Sequence, residues 1–273
     1  MIACTIAGSD SGGGAGIQAD LKTFQELKVF GTSVITALTA QNTQGVHGIF
    51  PVEAGFVEAQ LTAVLDDFEV KAVKTGMLFD AGIIQTVAQR LERTNIPIVV
   101  DPVMVAKGGQ RLLLEEAVAA YKQYLLPIAA VCTPNIPEAE VLTGLTIESQ
   151  EDIERAAQAL LETGVRCVVM KGGHLKSDKA RDAVYQQGEP PFYVETDRFE
   201  TPHTHGTGCT FSAALTAGLA KDMSVQESII LAKRFVDAAI KHPLNIGHGL
   251  GPTNHFAYQQ LEREMPVHVI STR

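Results

Sequence analysis

Short runs of apolar, mostly β-branched residues alternate along this chain with segments of helical period. Four such runs lie at 70–74, 98–100, 129–133 and 167–170, and each follows a helical segment. These runs do not alternate polar with apolar positions, which indicates strands that are buried on both faces. Strands that repeat in this way with helices between them are joined by crossover connections. The pattern predicts an α/β protein with a mostly parallel central sheet between layers of helices.

The other predicted elements rest on the spacing of apolar residues. They are strands over 2–7 and 33–39, and helices from about residue 15, over 53–68, over 153–161 and over 225–240. The apolar face of the second helix is expected to include Phe56 and Phe68. Residues 174–200 are expected to be an irregular excursion or a hairpin. Since no break in composition divides the chain, we expect residues 1–273 to form one domain.

The charge balance excludes one class of function. The chain has 22 Lys and Arg residues against 31 Asp and Glu residues, a formal net charge of −9. It therefore has no excess of cations to displace counterions from a nucleic-acid backbone. No apolar stretch approaches the ~20 residues of a membrane-spanning helix, and the N-terminal segment lacks the basic region of a signal peptide. We expect a cytoplasmic protein that binds neither nucleic acid nor membrane.

The cysteines and histidines show no metal-ligand spacing. The four cysteines are Cys4, Cys132, Cys167 and Cys209, and no pair of them forms Cys-x-x-Cys. Scattered thiols in a chain of this length are typical of reduced intracellular proteins rather than of a disulfide framework or a zinc site.

Glycines are concentrated in the loop that follows the first predicted strand. This loop, over residues 8–16, has the sequence Gly-Ser-Asp-Ser-Gly-Gly-Gly-Ala-Gly. In open α/β sheets, ligands bind beyond the carboxyl ends of strands. This loop could therefore let the backbone approach a flat ligand, with Asp10 nearby for a polar contact. The alternative is a tight turn that binds no ligand. It is not a Walker A sequence. Asp20, on the helix that follows, faces either a pocket or water.

The strongest local signal is Gly-Thr-Gly-Cys at 206–209, directly before an Ala-rich helix. Free backbone N–H groups at the positive end of a helix dipole form an anion site. At a helix N-terminus the pKa of the Cys209 thiol is expected to be depressed. A thiolate there would act as a base or as a hydrogen-bond acceptor for a substrate hydroxyl. As a buried small side chain, Cys209 would have no chemical role.

Polar residues follow three further predicted strands. Asp101 follows one strand and precedes a proline, and this position suits a metal or phosphate site. Lys171 follows another strand, where its ammonium either faces a triphosphate or is merely solvated. Asn135 and Glu138 lie in Thr-Pro-Asn-Ile-Pro-Glu, and together they either reach a hydrated Mg²⁺ and phosphates or only begin a helix. Lys107 is a candidate for a mobile basic flap.

One polar side chain offers a way to recognise a heterocycle. Gln41 follows the second predicted strand, and its carboxamide has one acceptor and two donor hydrogens. That set complements the ring nitrogen and exocyclic amine of an aminopyrimidine, although a surface glutamine in a turn is the alternative. Met77, in Lys-Thr-Gly-Met, is more typical of a core than of a ligand platform.

Seven motifs occur together in the order found in one enzyme family. They are Ala-Gly-Ser-Asp-Ser-Gly-Gly-Gly-Ala-Gly-Ile-Gln-Ala-Asp-Leu-Lys-Thr (7–23), Thr-Ala-Gln-Asn-Thr (39–43), Lys-Thr-Gly-Met (74–77), Asp-Pro-Val-Met (101–104), Thr-Pro-Asn-Ile-Pro-Glu-Ala (133–139), Met-Lys-Gly-Gly-His (170–174) and His-Gly-Thr-Gly-Cys-Thr (205–210). From residue 2 to about residue 255, the chain closely resembles the hydroxymethylpyrimidine/phosphomethylpyrimidine kinases of thiamine biosynthesis, within the ribokinase-like superfamily.

The resemblance implies a three-layer α/β/α fold, a homodimer, and ATP and Mg²⁺ as cofactors. It implies phosphorylation of 4-amino-5-hydroxymethyl-2-methylpyrimidine, and then of its monophosphate to the diphosphate at the same site. Most ribokinase relatives have Asp at the position of Cys209. By the resemblance, Cys209 accepts or orients the hydroxyl proton, while Gly206, Thr207 and Gly208 hold the charge of the transferred phosphate through their amides.

The resemblance also assigns the remaining site residues. Gln41 would read the pyrimidine edge, in a pocket lined by Gly8, Ala15, Asp20, Met77 and Val103. At the other end, Asn135 and Glu138 would organise Mg²⁺ and phosphate through water, with Asp101 near the metal, and Lys171 and Thr207 would contact the phosphates of ATP. Residues 105–110 would form a flap that excludes water.

Three other functions are weighed against this one. A pyridoxal kinase of the same fold also carries the cysteine, but pyridoxal lacks the amine that Gln41 would match. A ligand sensor without catalysis would be expected to lack Cys209, the anion site at 206–209 or the Asn-x-x-Glu motif at 135–138, and all three are present. A sugar or adenosine kinase is disfavoured, because those relatives carry Asp at position 209.

Overall fold

The short apolar runs of the sequence are the central strands of one sheet. The structure, a computed structural model, describes residues 1–104, 115–172, 178–261 and 267–271. Its strands are β1 (Ile2–Asp10), β2 (Phe30–Asn42), β3 (Gly45–Pro51), β4 (Val70–Thr75), β5 (Ile98–Val100), β6 (Val131–Cys132), β7 (Cys167–Met170), β8 (Lys179–Gln186), β9 (Phe192–Asp197) and β10 (His268–Ser271). They pair in the order β10-β9-β8-β7-β6-β5-β4-β1-β2-β3.

The centre of this sheet is parallel and its two margins are antiparallel. From β2 through β1, β4, β5 and β6 to β7, every neighbouring pair is parallel. The hairpin partner β3 lies antiparallel at one margin, and β8, β9 and β10 lie antiparallel at the other. The predicted mostly parallel sheet is confirmed, and the 174–200 segment contains the hairpin β8-β9.

Helices cover both faces of the sheet, which confirms the three-layer arrangement. The helices are α1 (Gly16–Glu26), α2 (Ala54–Asp67), α3 (Ala81–Leu91), α4 (Glu115–Ala120), α5 (Ile136–Thr143), α6 (Gln150–Leu161), α7 (Thr207–Ala220), α8 (Val225–Lys241) and α9 (Ala257–Leu261). One core lies between the sheet and α2 to α6, and the other lies between the sheet and α1, α7, α8 and α9. Adjacent residues of β5 pack into different cores, since Val100 belongs to the first core and Val99 to the second. No helix in the described ranges has the length and apolar character that crossing a membrane requires.

The predicted apolar face of α2 and the predicted end of β2 differ from the structure. Phe56 is 64% exposed, because α2 turns the face of Val57 and Leu61 to the core instead. Strand β2 is longer than predicted, so that Gln41 lies within the strand and pairs with Val46 of β3. The sequence concealed β3 because its glycines and its proline are typical of turns.

A buried ion pair joins α1 to the centre of the sheet. Asp20 Oδ1 accepts a hydrogen bond from Lys74 Nζ at 2.6 Å, and its Oδ2 accepts one from the Thr5 hydroxyl at 2.6 Å. All three side chains are fully buried. The expectation that Asp20 faces a pocket or water is therefore wrong. Its carboxylate lies inside the protein because Lys74, on β4, supplies the opposite charge there.

Replacing Lys74 by Met is expected to lower the free energy of unfolding by about 3–5 kcal/mol, because Asp20 would become a buried carboxylate without its cation. Equilibrium unfolding in urea measures this change. Lys71→Met is the matched control, since it removes a lysine of the same strand whose ion pair with Glu69 is solvent-exposed. The control is expected to unfold at the wild-type urea concentration. A Lys74→Met variant as stable as the wild type would contradict the account.

Candidate active site

The carboxyl ends of the parallel strands lie in a row along one edge of the sheet. The order across this edge is β2, β1, β4, β5, β6 and β7, with neighbours about 4.8 Å apart. A cavity of about 1060 Å³ follows the edge and continues toward β8 and β9. Sites for one drug-sized ligand measure roughly 300–1,000 Å³, so this cavity has room for two small ligands side by side.

Most side chains singled out in the sequence line this cavity. They are Gly8, Ala15, Gln41, Met77, Asp101, Val103, Asn135, Glu138, Lys171, Gly206, Thr207, Gly208 and Cys209. Met77 also belongs to the core, since it is almost completely buried. Asp20 does not line the cavity, because its carboxylate is buried against Lys74 and Thr5. The predicted flap at 105–110, with Lys107, lies outside the described residues. The 206–209 turn and the amide of Gln41 therefore border one cavity.

Two glycine-rich turns, at 8–16 and 206–209, pack directly against each other. Gly206 precedes α7 with a φ of +82°, and a Cβ at this position would lie 1.8 Å from the carbonyl oxygen of Gly14. Gly16 begins α1 with a φ of +55°, and a Cβ there would lie 2.3 Å from the carbonyl oxygen of Gly8. Both positions therefore require glycine. The contact brings the N-termini of α1 and α7 together.

The 206–209 turn carries positive potential toward the cavity. The first N–H groups of α7 have no acceptor within their own helix, and they lie at the positive end of its dipole. Lys171 adds a full charge beside them, because a Cβ on Gly208 would lie 3.2 Å from Lys171 Nζ. The Thr207 hydroxyl donates to the carbonyl of Thr204, which fixes the approach to the helix. This arrangement suits a phosphate group.

Cys209 has the predicted position but the opposite acidity. Its Sγ accepts a hydrogen bond from the backbone N–H of Gly16, while burial raises the pKa of the thiol to about 11. Lys74 lowers this pKa, and the carboxylates of Asp20 and Asp101 raise it. The predicted depression of the pKa is therefore wrong, because desolvation of the thiolate outweighs the charge of Lys74 and the hydrogen bond from Gly16. At neutral pH, Cys209 is a thiol.

The acidity of Cys209 can be measured by alkylation with iodoacetamide. Because the pKa is raised to about 11, the thiolate fraction and the alkylation rate are expected to rise about tenfold per pH unit from pH 7 to 9. Cys209→Ser should abolish the reaction, since Cys4, Cys132 and Cys167 are free but buried. A rate that levels off near neutral pH would show a depressed pKa instead.

Asp101, Glu138 and Lys171 form a charged cluster beside the turn. Lys171 Nζ lies 3.1 Å from Asp101 Oδ1 and 4.0 Å from Glu138 Oε2. Burial opposes the charge of Lys171, but the two carboxylates outweigh this effect and raise its pKa. Burial raises the pKa of Glu138 to about 7, although the attraction of Lys171 acts in the other direction. The Ser212 hydroxyl donates a hydrogen bond to Asp101 Oδ2 at 3.2 Å.

Asn135 and Glu138 begin α5, as one interpretation of their motif predicts, and they also lie at the cavity. Asn135 Oδ1 accepts from the backbone N–H of Glu138 at 2.9 Å, and Glu138 Oε2 accepts from the backbone N–H of Asn135 at 2.8 Å. This reciprocal capping box begins α5, with Pro137 in its first turn. Both residues also border the cavity. The helix cap therefore holds the two side chains in place at the border of the cavity.

The sequence did not reveal two side-chain pairings at the cavity. His205 Nε2 lies 3.0 Å from Asp10 Oδ2 and 3.3 Å from Gln41 Nε2. At the far end of the cavity, Lys233 donates to Asp182 at 2.7 Å. The available signal for His205 was its place directly before the 206–209 turn. No sequence spacing connects Asp182 with Lys233, because they are brought together only where α8 packs on the sheet.

Comparisons with known proteins agree on one family. Residues 10–254 match the family model described as phosphomethylpyrimidine kinase. The hydroxymethylpyrimidine/phosphomethylpyrimidine kinase of Haemophilus influenzae is 56% identical over 261 residues, which cover 94% of this chain and 97% of that protein. The thiamine biosynthesis bifunctional protein ThiED of Geobacter sulfurreducens is 50% identical over 252 residues, which cover 92% of this chain and 51% of that protein.

A solved structure resembles this one over almost the whole chain. It is the pyridoxal kinase of Staphylococcus aureus in complex with AMP-PCP and pyridoxal, with a TM-score of 0.90 and 39% sequence identity. The match covers 99% of this chain and 98% of that chain. That kinase therefore binds an ATP analogue and a six-membered heterocycle at the same time.

Proposed function

This chain belongs to the phosphomethylpyrimidine kinase family and has the ribokinase-like fold, and on that premise we propose its substrate and the roles of its residues. The substrate is 4-amino-5-hydroxymethyl-2-methylpyrimidine, which receives the γ-phosphoryl group of ATP; its monophosphate then receives a second group. The observation that carries the proposal is the single cavity bordered by Gln41 and by the 206–209 turn. The names of the two relatives above support the substrate, and the AMP-PCP complex supports ATP.

The heterocycle would bind at the end of the cavity formed by β1, β2 and β4. Gln41 supplies a carboxamide there, which matches the adjacent ring nitrogen and amine of the pyrimidine. Gly8, Ala15, Met77 and Val103 border the same space with backbone and apolar surface. A flat ring placed there has one polar edge satisfied and its faces covered.

The phosphates of ATP would bind across the 206–209 turn and Lys171. The amides of Gly206, Thr207, Gly208 and Cys209 lie at the helix N-terminus, and the Lys171 ammonium lies beside them. Asn135 borders the cavity next to this cluster. Since phosphoryl transfer depends mainly on positioning and charge stabilisation, these donors supply much of what the reaction needs.

The carboxylates at the phosphate end fit a hydrated Mg²⁺. The described residues contain no group of three or more His, Cys, Asp or Glu side chains that would cage a metal ion. Mg²⁺ needs no such cage, because it usually keeps several waters and binds one or two carboxylates together with substrate phosphates. Glu138, with Asp101 nearby, would hold the ion. When bound, Mg²⁺ would neutralise charge on the phosphates.

Cys209 would act on the hydroxyl of the substrate. In the transfer, the hydroxyl oxygen forms a bond to the γ-phosphorus while the bond from that phosphorus to the bridging oxygen of ADP breaks. Because the transition state is loose, the hydroxyl keeps its proton until late in the reaction. The Cys209 thiol therefore orients the hydroxyl, and late in the reaction the hydroxyl proton passes to an oxygen of the transferred phosphoryl group.

Replacing Cys209 by Ala is expected to lower kcat by about 10²-fold or more, the usual contribution of a group that orients or accepts a proton. The KM for the pyrimidine should change less than about threefold, because ring recognition lies at Gln41. Steady-state kinetics with Cys209→Ser as the control, which keeps a polar group in place, measure both constants. An unchanged kcat for Cys209→Ala would remove the thiol from the mechanism.

Pyridoxal kinase activity is the second candidate, because the Staphylococcus aureus structure is so similar. The two substrates are both flat heterocycles with a hydroxymethyl group, and they differ at the edge that Gln41 would read. We expect kcat/KM to be at least about tenfold higher for the aminopyrimidine, since pyridoxal leaves a hydrogen-bonding group of the carboxamide unmatched. Parallel assays of ADP release with both substrates make the comparison. Faster turnover of pyridoxal would overturn the choice of substrate.

The assembly and location of the kinase are further parts of the proposal. A homodimer is supported by an apolar patch on the β2-β3 margin, where the paired residues Leu38 and Phe50 are 46% and 69% exposed. Exposed apolar edges of this kind mark interaction surfaces. A cytoplasmic location is supported by the free thiols. That residues 1–273 form one kinase domain stays a prediction.

A further inference from the structure

Gln41 lies between two hydrogen-bonding neighbours that limit how its carboxamide can be oriented. Its Oε1 lies 3.2 Å from the Thr39 hydroxyl, and its Nε2 lies 3.3 Å from His205 Nε2. A rotation of 180° about the last side-chain bond exchanges the two atoms and leaves the rest of the residue in place. The hydrogen atoms of the neighbours decide which of the two orientations is stable.

Asp10 decides the hydrogen position on His205. The carboxylate of Asp10 accepts backbone N–H groups from Gly12 at 2.8 Å, Gly14 at 3.0 Å and Ala15 at 2.8 Å. Burial alone would raise the pKa of Asp10, but the bonds from His205, Gly12 and Ala15 outweigh it and lower the pKa. An ionised carboxylate only accepts hydrogen bonds. His205 therefore directs an Nε2–H at Asp10, and Nε2 has no lone pair to offer Gln41.

At Thr39, in contrast to His205, Gln41 faces a hydrogen-bond acceptor. Its hydroxyl has one hydrogen, which it donates to the carbonyl oxygen of Ser9 at 2.9 Å. That carbonyl is an acceptor and cannot supply the hydrogen itself. The Thr39 oxygen therefore presents lone pairs to Gln41, and a donor from the carboxamide is the matching partner. An oxygen of Gln41 at this point would face lone pairs, and its nitrogen would face the Nε2–H of His205.

We propose that Asp10 and His205 are positioning residues that hold the carboxamide of Gln41 with its oxygen toward His205 and its nitrogen toward Thr39. The inference rests on the proposed function, because it concerns how the pyrimidine is read. In this orientation the Gln41 oxygen shares the Nε2–H of His205 with Asp10, and one N–H of Gln41 donates to Thr39. One lone pair and one N–H of Gln41 remain for the ligand. Their order is fixed, with the acceptor on the His205 side and the donor on the Thr39 side.

The fixed order determines which way the pyrimidine faces. Its amine would donate to the Gln41 oxygen on the His205 side, and the neighbouring ring nitrogen would accept from the Gln41 nitrogen. The hydroxymethyl group is attached next to the carbon that bears the amine, on the side away from that ring nitrogen. It therefore lies on the His205 side, and His205 leads directly into the 206–209 turn. A reversed carboxamide would favour a ring turned over, with the hydroxymethyl group away from the phosphate site.

The backbone holds His205 rigidly enough for this role. Its N–H donates to the carbonyl of Gly251 at 3.1 Å, and its carbonyl accepts from the N–H of Thr253 at 3.1 Å. Its ring packs on the backbone of the 8–16 turn, since a Cβ on Gly14 would lie 2.6 Å from His205 Cδ2. The imidazole is therefore fixed by both neighbouring segments before any ligand binds.

A double-mutant cycle tests whether His205 acts through Gln41. Calorimetry would give the Kd of the aminopyrimidine for the wild type, Gln41→Leu, His205→Leu and the double variant. Each single change is expected to weaken binding about tenfold, the effect of about one hydrogen bond. The double variant is expected to bind no more weakly than Gln41→Leu alone. His205→Gln, which keeps an N–H donor at similar reach, should stay within about threefold of the wild type.

A second ligand separates positioning from a structural effect. For 5-hydroxymethyl-2-methylpyrimidine, which lacks the amine, His205→Leu is expected to change the Kd much less, so that the variant loses discrimination between the two ligands. The Kd of AMP-PCP should not change in any variant. If His205→Leu does not fold, His205→Asn, whose amide is too short to reach both partners, replaces it in the cycle.

The outcomes distinguish this inference from the proposed function. Single effects that multiply in the double variant, to about a hundredfold loss, would show that His205 does not act through Gln41. A His205→Gln variant as weak as His205→Leu would also overturn the inference. A wild-type protein that binds pyridoxal but not the aminopyrimidine would instead overturn the proposed substrate.

Discussion

The backbone of Gly206 lies against the carbonyl of Gly14, at a distance that leaves no space for a side chain. This contact brings the N-termini of α1 and α7 together, and the site depends on it. It lets the N–H of Gly16 reach Cys209 Sγ and places the amides of the first turn of α7 at the cavity. It also brings His205, the residue before the turn, to the carboxylate of Asp10. A larger residue at position 206 would separate all of these groups.

Charge pairing across separate elements is the second constraint. The chain carries a net charge of −9, yet its cavity must accept a polyphosphate. The buried carboxylates of Asp20, Asp101 and Asp182 each lie beside a lysine from another part of the chain. These lysines stabilise carboxylates that would otherwise be very costly to bury. Lys171, unlike the fully buried Lys74, borders the cavity beside Gly208 of the 206–209 turn, where its charge is available to a ligand.

The sequence was informative where a local pattern has one structural solution. The apolar runs at 98–100 and 167–170 are the strands β5 and β7. The Gly-Thr-Gly-Cys sequence at 206–209 lies at the start of the helix α7, as its position before an Ala-rich segment predicts. What it did not reveal depends on residues far apart in the chain. The raised pKa of Cys209 comes from packing around the thiol, and the burial of Asp20 comes from Lys74 on another strand. Local helix-terminus reasoning captures neither effect.

The most direct test of the proposed function is a crystal structure of the protein with the aminopyrimidine and AMP-PCP bound together. We expect the amine and ring nitrogen on the carboxamide of Gln41, the γ-phosphate on the 206–209 amides beside Lys171, and the hydroxymethyl oxygen between Cys209 Sγ and that phosphate. A pyrimidine bound away from Gln41, or one whose hydroxymethyl group points away from the turn, would contradict it.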